Sequence, residues 1–66
     1  MRIFCNGEET EIGEQTLVAD FIKKSGLDLE TVVVEYNGKI LSRPEYDRQL
    51  LTADAVLELI RFIGGG

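Results

Sequence analysis

The sequence predicts an α+β fold, a mixed sheet of four to five strands with one main helix packed across one face. Three observations point there. The pairs Asn6-Gly7 and Asn37-Gly38 each lie between segments with strand character, the signature of tight hairpins. Residues 17–24 place apolar side chains at helical spacing, and residues 56–63 alternate as a strand does.

Residues 1–6 read as the first strand, with Ile3 and Cys5 on one face and Arg2, Phe4 and Asn6 on the other. Residues 8–12 form a more polar return strand in which Thr10 and Ile12 are in phase. Gly13-Glu14 closes it. Thr16 is the expected N-cap of the helix, its hydroxyl accepting from a first-turn amide. Leu17, Val18, Phe21 and Ile22 fall on one stripe, Lys23 and Lys24 suit the negative end of the helix dipole, and Ser25-Gly26 stops it.

Residues 31–36 are rich in β-branched side chains and lead to the second hairpin, with residues 39–41 as its short return strand. Pro44, soon after Ser42, marks a short helical turn over residues 42–47. Residues 48–53 read as a loop whose Leu50 and Leu51 plug the core. In the last strand Leu57 and Leu59 share one face while Val56, Glu58, Ile60 and Phe62 share the other. One domain over residues 1–63 is expected, followed by a flexible tail, residues 64–66.

A chain of 66 residues supports a single thin core. The net charge of −5 repels phosphate backbones and anionic lipid, so neither nucleic acid nor a membrane surface is an expected partner. The apolar runs are too short to span a bilayer, no signal-peptide pattern surrounds Arg2, and the lone Cys5 rules out an internal disulfide. A cytoplasmic location is the expectation. Cys5 is in phase with Ile3 and reads as core packing.

With no histidine, one cysteine and no phosphate loop, the chain is not expected to be an enzyme, to hold a metal or to bind a cofactor. The glutamates at positions 8, 9, 11 and 14 read as a solvated cluster. What remains is the tail. Glycine has no Cβ, so a carbonyl carried by Gly64, Gly65 and Gly66 can thread a narrow cleft. Phe4, Ile60 and Phe62 are the candidate docking patch beside it, with Phe4 expected next to the other two on a neighbouring strand. Arg43 and Tyr46 read more readily as supports of the short turn.

The order of these elements, the start Met1-Arg2-Ile3-Phe4 and the glycine end resemble the β-grasp fold of ubiquitin and its prokaryotic relatives over the whole chain. The Asn37-Gly38 turn, Arg43 followed by Tyr46, and Arg61-Phe62-Ile63-Gly64-Gly65-Gly66 are most similar to the ThiS family of thiamin-pathway sulfur carriers. The family often has Gly-Asp before the last strand where this chain has Ala53-Asp54, which puts the shape of that turn in question.

The resemblance implies that a ThiF-like enzyme adenylates the Gly66 carboxylate with ATP. A sulfur donor such as a cysteine desulfurase then displaces AMP, and the resulting thiocarboxylate serves a ThiG-like thiazole synthase. The alternatives are a carrier like the small subunit of molybdopterin synthase, and a ubiquitin-like modifier or docking module. The first of these is usually longer and often has proline upstream of its diglycine, where this chain has Phe62-Ile63.

Overall fold

The computed structural model describes residues 1–61. Both Asn-Gly pairs form hairpin turns with positive φ at each central residue, 51° and 83° at Asn6 and Gly7, 49° and 87° at Asn37 and Gly38. This geometry matches the right-handed twist of the flanking strands. The first turn joins β1 (Arg2–Cys5) to β2 (Glu8–Glu11), and the second joins β3 (Val32–Tyr36) to β4 (Lys39–Ile40). Between the hairpins lies α1 (Val18–Lys24). A 3-10 turn (Arg43–Glu45) precedes the last described strand, β5 (Val56–Arg61).

β5 enters the middle of the sheet, parallel to β1 and antiparallel to β3, which gives the order β2-β1-β5-β3-β4. The alternation of residues 56–61 now has its physical reason. Leu57 is fully buried and Leu59 half-buried under the helix side of the sheet, while Val56, Glu58 and Ile60 are exposed on the other face. Ile3, Val32 and Val34 join Leu57 against Val18, Ala19, Phe21 and Ile22 of α1. The domain boundary expected at residue 63 lies outside the described residues.

Thr16 does not cap the helix. Leu17 occupies the N-cap without a side-chain bond, and the Thr16 hydroxyl instead donates to the Gly13 carbonyl at 2.6 Å. The first-turn amides find partners far along the chain: Val18 N–H donates to Gln49 O and Ala19 N–H to Tyr46 O, each at 2.9 Å. With its amides met by the loop, the helix needs no hydroxyl cap. The same loop corrects the Leu50-Leu51 expectation, since Leu51 is 3% exposed and plugs the core, whereas Leu50 is 46% exposed. Leu50 bridges Leu17 in strand fashion, and that pairing turns its side chain outward.

The turn at Ala53-Asp54 takes its positive φ, 66°, at Asp54, so Ala53 carries no left-handed strain. The Asp54 amide donates to Arg2 O at 2.7 Å and its carboxylate pairs with the Arg2 guanidinium at 3.0 Å.

Tyr46 and Arg43 fasten the turn to β3 and to the segment just before it. The buried Tyr46 hydroxyl donates to Val32 O at 2.8 Å, and Arg43 donates to Glu30 O at 2.8 Å. Tyr46→Phe leaves a buried carbonyl without its donor and is expected to lower stability by about 1–3 kcal/mol. Urea unfolding tests this: the midpoint should fall at an unchanged slope, and an unmoved midpoint would show that the hydroxyl does not matter.

Candidate functional site

The helix-free face of the sheet is assembled by register. Across β5 and β3, Ile60 lies opposite Val33 and Glu58 opposite Glu35. Across β5 and β1, Val56 lies opposite Phe4, and across β1 and β2, Phe4 lies opposite Glu9. Ile40, opposite Glu35, extends the same face onto β4. Exposure is 48% at Ile60, 48% at Val56 and 69% at Ile40. Apolar side chains are thus interleaved with carboxylates.

Of the residues singled out from the sequence, the described structure contains Phe4 and Ile60; Phe62, Gly64, Gly65 and Gly66 lie outside the described residues. The expected adjacency is corrected by register. β1 is the neighbour of β5, but the parallel pairing aligns Phe4 with Val56, a strand distance of roughly 13 Å from Ile60. Phe4 is half-buried, and the Arg2 guanidinium carbon sits 5.2 Å from its ring centroid, so part of the ring is covered. Val33 is Ile60's cross-strand neighbour. The alternation of residues 56–60 already carried Val56 as a face residue, whereas Ile40 and Val33 needed the strand register to be found.

The Glu35–Glu58 pair places like charges directly opposite each other, an arrangement that weakens an isolated sheet. The Cys5 thiol is held above its ordinary range by burial first, then by the carboxylates of Glu58 and Glu8. Raised in this way, it is a poorer nucleophile at neutral pH than an ordinary cysteine. Among the described residues no group of three or more His, Cys, Asp and Glu side chains is placed to hold a metal ion, and no helix is long and apolar enough to cross a membrane.

The sheet order, the α-helix laid across one face and the inserted central strand define a ubiquitin-like β-grasp protein. Residues 2–66 match the ThiS family, and the chain belongs to that family.

The crystal structure of a thiamine biosynthesis protein (ThiS) from Geobacter metallireducens is similar over the whole of both chains, with 28% identity and a TM-score of 0.86. The NMR solution structure of a thiamine biosynthesis protein from Geobacter metallireducens gives 28% identity and 0.81 over 100% of this chain and 88% of that one. Thiazole synthases from Magnetococcus marinus and Paramagnetospirillum magneticum are 35% and 32% identical to it over 66 residues. The chain spans 20% of the length of these curated relatives, although all of it is matched.

Proposed function

We propose that this chain is a sulfur carrier of thiamine biosynthesis whose Gly66 carboxylate is the working group. In this reading a ThiF-like enzyme transfers AMP from ATP to the carboxylate. The persulfide sulfur of a donor such as a cysteine desulfurase displaces AMP to give an acyl disulfide, a thiol reductant cleaves its S–S bond, and the resulting thiocarboxylate passes its sulfur to a ThiG-like thiazole synthase. The chain acts as substrate for its partners and catalyses no step itself.

The observation that carries this reading is the match of the whole chain to part of proteins named thiazole synthase, within a chain of the ThiS family. A ThiS-family stretch within proteins named thiazole synthase favours thiazole formation over the molybdopterin alternative. The chemistry is consistent. A carboxylate is an unreactive anion, and the mixed anhydride with AMP supplies the leaving group it lacks.

The fold supports presentation of such a tail. The strand that runs toward Gly66 is the central one, held by β1 on one edge and β3 on the other. Ordering each tail glycine in a partner's cleft costs about 1–2 kcal/mol. Burying the exposed half of an aliphatic side chain such as Ile60 returns about 0.7–1.5 kcal/mol, so the tail needs an adjoining docking face of several such side chains. We assign that face to Ile60 with Val33, Val56 and Phe4. The partner surface it fits is apolar with basic groups, because such groups relieve the Glu35–Glu58 repulsion.

ATP–pyrophosphate exchange by a ThiF-like enzyme tests the first step, since exchange should depend on the addition of this chain. Ile60→Asp is expected to raise the KM for the chain roughly 10-fold or more. Its melting temperature should fall by roughly 5–10 °C, since half of the side chain is buried on the central strand, and the variant should still be folded at assay temperature. Exchange that ignores the chain would remove the carrier reading; an unchanged KM would remove Ile60 from the docking face.

A further inference from the structure

We infer that Asn6 is a positioning residue that fixes the end of β5 from which the reactive tail departs. The inference rests on the carrier reading for its functional consequence and on hydrogen-bond geometry for its structural part.

β1 leaves the sheet at the Asn6-Gly7 turn, and its register with β5 ends at Cys5 opposite Leu57. β5 continues to Arg61, and on the β3 edge its pairing continues as well, to Val32 opposite Arg61. On the β1 edge no further strand residue is available, and Asn6 substitutes for it. Its backbone N–H donates to Leu57 O at 2.9 Å, and its side-chain Oδ1 accepts from Leu59 N–H at 2.8 Å. The amide side chain takes the place of the carbonyl that a longer β1 would have supplied, and it does so two residues before Arg61.

Asn37 provides a natural control. It occupies the matching position of the other Asn-Gly turn, donates its N–H to Val56 O at 2.8 Å and accepts from Val56 N–H through Oδ1 at 2.8 Å. The chemistry is the same, but it acts at the start of β5, on the end away from the tail. Losing Oδ1 at Asn6 frees the strand end that must enter a partner's cleft; losing it at Asn37 frees the opposite end.

Asn6→Gly and Asn37→Gly keep the turn conformation, since glycine accepts positive φ at both central positions, and each removes only the side-chain acceptor. Any change in unfolded-state entropy is common to both. Loss of one hydrogen bond predicts about a 5-fold faster amide exchange at Leu59 in Asn6→Gly, with Val56 the affected amide in Asn37→Gly.

In ATP–pyrophosphate exchange with the activating enzyme, Asn6→Gly should raise the KM for the chain by about 5-fold at near-constant kcat. Asn37→Gly should leave the KM near that of the wild type. Equal KM values for the two variants at comparable melting temperatures, or an undisturbed Leu59 amide in Asn6→Gly, would overturn the assignment. A wild-type chain that is not activated at all would count against the carrier reading, and the Leu59 exchange would then decide alone whether Asn6 holds the strand end.

Discussion

Deletion of Gly66 is expected to abolish sulfur loading outright while leaving the fold intact. Among the described residues the buried core runs from Ile3 to Leu57, and a glycine has no side chain to add to it. Removal of a residue with no side chain should therefore shift the melting temperature by no more than about 2–4 °C. The chemical effect is of another order. Without Gly66 the terminal carboxylate is displaced by one residue, about 3.3–3.6 Å of extended chain, from where a cleft fitted to this tail would attack it. Misplacement of even 1 Å at a reacting centre can cost about 100-fold in rate. Loading of the deletion variant at a wild-type rate would place the reactive group elsewhere, and an unfolded variant would show that the tail supports the core.

The largest expected effect on stability is that of Leu57→Ala. Leu57 is fully buried on the central strand, flanked by Cys5 on β1 and Tyr36 on β3, beneath α1. Truncation removes the transfer energy of the lost methyl-bearing carbons and leaves a cavity between two strands and a helix that cannot all close on it. Such substitutions cost about 2–5 kcal/mol. At roughly 0.05–0.15 kcal/mol per residue, a domain of this size has about 3–10 kcal/mol in total, so the variant should sit near its unfolding threshold at physiological temperature. Thermal denaturation followed by circular dichroism should show a fall of at least about 10 °C. A shift below a few degrees would mean that the site collapses around the smaller side chain and that the core is less tightly specified than its burial indicates.

The features legible in the sequence were those fixed by local chemistry. The Asn-Gly pairs demand positive φ angles, the run at residues 32–34 suits a buried strand, and Val18, Phe21 and Ile22 share a helix face. What escaped the sequence depended on distant partners. Thr16 has the chemistry of an N-cap, but the amides it would satisfy are taken by carbonyls of Gln49 and Tyr46 in a loop whose path no periodicity encodes. Leu50 and Leu51 are identical residues, and only the bridge to Leu17 decides which turns inward.

The same limit applied to the proposed docking face. Alternation placed Ile60 outward correctly, while the offset between β1 and β5 set Phe4 beside Val56 and brought Val33 to Ile60. The apparent signal at Arg43 and Tyr46 resolved into bonds to Glu30 and Val32. The tail's signal is compositional, a run of residues without Cβ that needs no tertiary partner to be read, and it lies outside the described residues.

The most direct measurement is the intact mass of the chain after incubation with ATP, a ThiF-like enzyme and a sulfur donor. The account predicts a mass increase equal to one oxygen replaced by one sulfur, localised to Gly66 by fragmentation and absent from the Gly66 deletion. An unchanged mass, with the same enzyme and donor loading a known ThiS protein alongside, would contradict it.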